Sequence, residues 1–203
     1  FSDLYNMTED SVLLAKSGIN SVNPIVDATN LTMLELGQPL HAFDYDKFVK
    51  IGGLDYAKII VRAARSGEKL TLLDGKTIEL NSNDIVITSN DIPVALAGAM
   101  GGESTKIDTS TTHILLESAT FSLYNLRKTQ MAHGIFSEAI TRFTKGQPVV
   151  NTIPAIKDCL TKLGVKSGAE LRFADSLKQD LSEIQVAVKV SEINQLLGSH
   201  YGE

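Results

Sequence analysis

Between residues 58 and 118 the chain is broken into short runs rich in β-branched residues, separated by turn dipeptides. This stretch limits the fold more than any other. Residues 69–73, then Asp74-Gly75, then residues 76–80 form a hairpin signal, because Asp-Gly accepts the positive φ angles of a tight turn. Residues 58–62 and 112–118 read as further short strands, as do 84–88 and 93–96, which Asn and Asp turn residues bracket.

Helical patterns lie on both sides. Residues 8–15 read as a short helix with Thr8 as N-cap, Ser11 three positions on, and Gly18 as its stop. Residues 24–36 form a second, with Pro24 in the first turn, where a missing N–H costs nothing. Gly37-Gln38-Pro39 then forces the chain out of the helix. A third covers residues 122–132. A fourth covers 151–163, with Ile153, Ile156, Leu160 and Leu163 as its apolar stripe and Cys159 beside it. Helices at both ends with antiparallel strands between them predict an α+β fold, with layered antiparallel-rich sheets and flanking helices. The polar, mixed segment 166–183 reads as a connector. A strand at 184–190 and a helix at 191–197 read as the opening of a further element. With no Met at position 1, this predicts a piece of a longer protein.

Composition narrows the function classes. The chain has 203 residues, 43% hydrophobic and 21% charged, with a net charge of −5. An acidic balance is a poor trap for a polyanion, so a nucleic-acid partner would place most of its phosphate contacts elsewhere. One cysteine permits no internal disulfide, and a reducing, cytoplasmic setting follows. Cys159 is expected to be a buried structural thiol. No apolar run approaches the roughly 20 residues of a membrane span, so no membrane partner is expected.

Familiar catalytic motifs are missing: no GxGxxG, no GxxxxGK[ST], no GxSxG and no HExxH. His41, His113, His133 and His200 never fall at metal-ligand spacing, so no metal site is expected. Three stretches concentrate polar and small residues in apolar sequence. In NPIVDATNLTMLELGQPLHAFD (23–44), His41 follows a Gly-Gln-Pro break where a loop can hold a side chain over a cleft. Taken alone, such a histidine is more often a surface or core-edge residue. AGAMGG (97–102) lets a backbone turn tightly or lets a ligand approach the main chain, and a plain turn is the commoner reading. In ILLES (114–118), Glu117 closes an apolar run. It is odd if it points inward, because burying an unpaired charge is costly, and ordinary if it points outward.

Together these stretches resemble the phenylalanyl-tRNA synthetase beta subunit. The resemblance is carried by IVDATN (25–30), LELGQPLHAFD (34–44), LTLLDG (70–75), ALAGAMGG (95–102), ILLESATF (114–121) and GIFSEAITRF (134–143). It covers residues 18–146 in order, and the tail from 184 to 198 looks like the start of that subunit's next domain. The implied organisation is an editing domain over residues 1–165, and a connector with the start of the next domain over 166–203. There are departures. The family usually has Glu-Arg-Gly followed by an acidic Asp-Pro pair where Thr144-Lys145-Gly146-Gln147-Pro148 stands, commonly an aromatic at Leu31 and a small polar residue at Ile140, all read as lying beside the site.

The resemblance implies a fragment of a phenylalanine-tRNA ligase that hydrolyses tyrosine wrongly esterified to the phenylalanine tRNA. His41 and Glu117 are the implied catalytic pair: Glu117, as an ionised carboxylate, would recognise the tyrosine hydroxyl, and His41 would place the ester or the attacking water. Thr29, Asn30, Pro39, Gly101, Ser137 and Ala139 are the implied substrate-binding wall. The implied partners are the tRNA acceptor end and the alpha subunit, in a heterotetramer of two alpha and two beta subunits. No cofactor is expected in this piece, and ATP and magnesium are expected for the full synthetase. The competing expectation is a non-catalytic scaffold or tRNA-contact module whose editing has decayed.

Overall fold

The computed structural model describes residues 7–165 and 185–202, which divide into two compact units, residues 1–169 and 170–203. Among its described residues the first unit carries eight strands: β1 (Leu40–Asp44), β2 (Ile59–Ala63), β3 (Lys69–Thr71), β4 (Thr77–Glu79), β5 (Ile85–Ser89), β6 (Ile92–Leu96), β7 (Met100–Gly101) and β8 (Ile114–Ser118). Its helices are α1 (Met7–Lys16), α2 (Pro24–Leu36), α3 (Tyr45–Gly52), α4 (Leu123–His133), α5 (Glu138–Phe143) and α6 (Thr152–Lys162). The second unit contributes α7 (Val190–Leu197), closed by Gly198 in the left-handed region. The architecture is α+β, and the described strand pairs are antiparallel.

Local chemistry explains the elements that frame the site. In α2, the Asn23 side chain accepts the Ile25 and Val26 N–H groups at 3.1 and 3.0 Å, and Gly37 ends the helix at φ 79°. Between β5 and β6, Asn90 and Asp91 take φ 44° and 80°, the two-residue turn whose twist suits a hairpin. Arg62 grips Glu68 through two N–H groups at 2.7 and 3.0 Å and reaches Asp91 at 2.7 Å, tying this turn to β2.

The strands form a pair β1–β8, a four-stranded sheet in the order β2-β5-β6-β7, and the hairpin β3–β4. Alternation along β1 and β8 decides what faces what. Ala42 and, beside it, Leu40, Ile114 and Leu116 pack with Ile25, Ala28, Cys159 and Leu163 of the helical layer. The other face carries His41, Phe43, Leu115 and Glu117. Phe43 joins Phe48, Ile87, Val94 and Ala95 in a core against the four-stranded sheet. A third core packs Leu70, Leu72, Ile78, Val86 and Leu96 under Leu126, Ile140 and Phe143.

Several expectations change. Residues 40–44 are a strand rather than a loop, and α3 and α5 follow their own caps: the Lys47 N–H is accepted by Asp44 at 2.9 Å, and that of Ile140 by Ser137 at 3.2 Å. α1 starts at Met7, so Thr8 is not its N-cap. The buried face of α6 is Ala155, Cys159 and Leu163, whereas Ile153 is exposed. Cys159 is fully buried, and burial pushes its thiol up to about 11. Residues 185–189 are not a strand, and the connector at 166–183 lies outside the described residues.

Candidate functional site

Strand pairing sets His41 directly opposite Glu117, between Leu40↔Ser118 and Ala42↔Leu116. Directly opposed residues in an antiparallel pair project to the same side, with Cβ atoms about 4.5–5.5 Å apart. Both side chains turn away from the helical layer toward the four-stranded sheet. There they line a cavity of about 70 Å³ with Pro39, Ile87, Ala95, Gly101, Ala139 and Phe143.

The His41 ring meets Phe43 edge-on, with centroids 4.5 Å apart. It also lies against the main chain of Gly101: a Cβ there would sit 2.5 Å from its Cε1 and 2.6 Å from its Nε2. Gly101 is therefore what lets the imidazole occupy this place. Gly98 makes the turn between β6 and β7 at φ 64°, with Phe121, Leu126 and Phe143 pressed around it.

Both titratable groups are only partly accessible, and burial alone shifts them. It lowers His41 to about 4 and raises Glu117 to about 8. At neutral pH the pocket therefore presents a neutral imidazole facing a largely protonated carboxyl. This differs from the expected ionised carboxylate. The apolar walls (Ile87, Ala95, Phe143) offer a charge little solvation.

A second cavity of about 390 Å³ adjoins the first and shares His41, Gly101, Met100 and Ala139 with it. Thr29, Asn30 and Ser137 line this outer cleft. The eight residues singled out from the sequence therefore line one or both of two adjoining cavities. Their polar atoms differ in freedom. The Ser137 hydroxyl donates to the Ala99 carbonyl at 2.9 Å and accepts the Ile140 N–H, so it pins α5 to the 98–101 turn. The Thr29 hydroxyl donates to the Val26 carbonyl of its own helix at 2.7 Å. Leu31 and Ile140, expected beside the site, are 1% and 0% exposed and line neither cavity. Ile87, Ala95 and Phe143 are wall residues that sequence reading missed; each looks like ordinary core.

The sequence profile of the B3/4 domain matches residues 10–165. The chain belongs to the B3/4 domain family. This B3/4 domain is similar to proteins named phenylalanine–tRNA ligase beta subunit: one from Streptococcus pneumoniae is 40% identical over 189 residues, covering 92% of this chain and 23% of that protein. One from Anaeromyxobacter dehalogenans is 40% identical over 187 residues, 91% of this chain and 23% of that protein. One from Streptococcus pyogenes serotype M3 is 42% identical over 174 residues, 86% and 19%. The chain thus spans less than a quarter of the length of these relatives. The resemblance read from the sequence holds along nearly the whole chain. Among the described residues, no helix is long and apolar enough to cross a membrane.

Proposed function

We propose that this B3/4 domain is the editing site of a phenylalanine–tRNA ligase beta subunit, hydrolysing the ester that joins tyrosine to the phenylalanine tRNA. The observation that carries this reading is the single cavity into which His41 and Glu117 both open, from directly opposed positions on β1 and β8. The relatives' names supply the setting.

The need for a second site is physical. A pocket shaped for phenylalanine cannot strongly reject tyrosine, which only adds a hydroxyl; such discrimination is limited to about 10². A pocket with a polar group at its floor inverts the preference, because phenylalanine leaves that group unpaired. Glu117 is the polar group among apolar walls. Protonated, its carboxyl both donates to and accepts from the tyrosine hydroxyl.

The outer cleft takes the ester and the terminal adenosine. Water adds to the ester carbonyl, the bond to the ribose oxygen breaks, and the ribose hydroxyl recovers the proton. An aminoacyl ester is already activated, so holding one water in line supplies much of what is needed. The neutral His41 has one N–H donor and one acceptor for that water, and a ribose hydroxyl of the tRNA assists. Its low proton affinity suits positioning better than strong base catalysis. ATP and magnesium serve the ligation reaction of the whole enzyme; among the described residues no three His, Cys, Asp or Glu side chains gather as metal ligands. The alpha subunit, the heterotetramer, the acceptor-end contact and the cytoplasmic setting belong to the same proposal.

The test is deacylation. Phenylalanine tRNA charged with tyrosine is mixed with the chain, or with the ligase that contains it, and the ester is followed against the same tRNA charged with phenylalanine. Faster loss of tyrosine supports the proposal, and equal loss to a protein-free control overturns it.

A further inference from the structure

Beyond the outer cleft lies a third cavity, of about 290 Å³, between the tip of the β3–β4 hairpin and the segment joining α4 to α5. Its walls include Asp74, Lys76, His133 and Phe136, and it shares Met100 and Ser137 with the outer cleft. The two cavities are therefore neighbours.

Phe136 is 73% exposed. Its neighbours are not loose. Ile135 is buried, and Ser137 is pinned to Ala99 by its hydroxyl. The α4 side is closed by Gly134 in the left-handed region and by the Ile135 N–H donating to Gln130 at 3.2 Å. His133 is fixed as well, its Nε2 lying 2.8 Å from the buried Asp84 carboxylate. A large aromatic ring is thus held in water on a rigid rim, where it forfeits the benefit of burial. Opposite, Lys76 is exposed on the hairpin tip. Asp74 turns one oxygen to the Lys76 N–H at 3.0 Å.

We propose that this cavity is a nucleotide subsite for the residue preceding the terminal adenosine, with its base stacked on Phe136 and its phosphate beside Lys76. A base offers a π-face to an aromatic platform, and stacking of this kind does not depend on sequence. The Asp74 carboxylate disfavours a bare anion such as inorganic phosphate. It welcomes a ligand that also brings donors, as a ribose hydroxyl or an exocyclic amine does. A nucleotide combines ring face, phosphate and donors in one unit of this size. The inference rests on the editing reading for the direction in which the acceptor end runs.

The experiment compares two esters, tyrosyl-adenosine and tyrosyl-CCA, the latter carrying the terminal trinucleotide of transfer RNA. Phe136→Ala should raise KM for tyrosyl-CCA about tenfold and leave tyrosyl-adenosine hydrolysis unchanged. Phe136→Trp should restore the wild-type value. Lys76→Ala should raise KM for tyrosyl-CCA and lessen its salt dependence. Equal KM values for wild type and Phe136→Ala on tyrosyl-CCA, or equal losses on both esters, overturn the subsite. If neither the wild-type chain nor the ligase that contains it cleaves either ester, the editing reading fails. The subsite is then judged by the Kd of the uncharged CCA trinucleotide: a rise of about tenfold in Phe136→Ala upholds it, and no change overturns it.

Discussion

Glu117 faces His41 across the β1–β8 pair, and burial pushes the two groups past each other: the carboxyl up to about 8, the imidazole down to about 4. In water their order is the reverse, with the carboxylate charged and the imidazole titrating near 6.5. Here the acid of the pair keeps its proton to higher pH than the base does. Two neutral groups, each able to donate and accept, frame a space that a neutral phenol can enter without displacing a charge.

Glu117→Ala should therefore slow hydrolysis of the tyrosyl ester by the worth of a neutral hydrogen bond. That is about 0.5–1.5 kcal/mol, or roughly 2- to 13-fold. The phenylalanyl ester should be affected less, so the ratio of the two rates narrows. Glu117→Gln should retain most of the ratio, because an amide also donates and accepts. Deacylation rates on both esters for the three proteins decide it. Equal slowing of both esters in Glu117→Ala would assign the residue to the fold or the chemistry and not to substrate reading.

The same burial makes stability depend on pH. The folded protein holds the Glu117 proton up to about pH 8, whereas the unfolded chain releases it near 4.5, so stability falls as pH rises between those values. His41 acts in the opposite sense between about pH 4 and 6.5, where the unfolded chain binds the proton that the folded protein refuses. From pH 6.5 to 8 the fall from Glu117 outweighs the remaining rise from His41. With a discount for its partial accessibility, the loss there is about 1 kcal/mol, a fall of roughly 2–4 °C in Tm. Glu117→Gln should remove that fall, and melting curves of both proteins at pH 6.5 and 8 measure it.

Much of this fold is legible because its signals are local. The Asn23 cap, Pro24 and Gly37 mark the ends of α2 without reference to anything distant. The hairpin turn at Asp74-Gly75 is equally self-contained. The strand Leu40–Asp44 is hidden for the opposite reason. Five residues after a proline carry little periodicity, and this segment is a strand because residues 114–118, more than seventy positions later, pair with it. The position of His41 over a cavity is therefore a long-range fact, and so is its contact with Gly101. Resemblance located both residues, but composition and spacing could not have joined them. Ile87, Ala95 and Phe143 stayed invisible because an apolar pocket wall and an apolar core obey the same rule of burial.

His133 illustrates a histidine that works for the fold. The Asp84 carboxylate is fully buried and receives the Thr129 hydroxyl at 2.6 Å, His133 Nε2 at 2.8 Å and the Asn81 N–H at 2.9 Å. It fastens α4 to the turn before β5. Asp84→Ala strands three polar groups and should cost about 3 kcal/mol or more, roughly 6–12 °C in Tm. Thr129→Ala should cost about 1–2 kcal/mol. Deacylation by the folded fraction at low temperature should persist in both. Loss of activity at unchanged melting temperature would instead make this network part of the site.

The contact between Gly101 and His41 gives the most discriminating test, because it makes two substitutions cancel. Gly101 has no positive φ, so alanine meets no backbone strain there. What it meets is the imidazole, with a new Cβ at 2.5 Å from Cε1 and 2.6 Å from Nε2, far inside contact distance. Leu73 Cδ1 at 3.1 Å lies at the end of a flexible side chain and can give. The ring has less room, because Phe43 packs edge-on against it. Gly101→Ala should therefore cost about 1–3 kcal/mol of stability, the usual range for overpacking, and should slow hydrolysis about as far as His41→Ala does, by displacing His41. His41→Ala alone should slow hydrolysis at little cost in stability, since the imidazole is only partly buried. Combined, the two changes remove the clash. The double variant should be more stable than Gly101→Ala by about 1 kcal/mol or more, while its activity falls no lower than that of His41→Ala. Urea unfolding of the three variants measures the coupling. Additive losses of stability would mean that the ring escapes by another route, and that Gly101 is required by something other than His41.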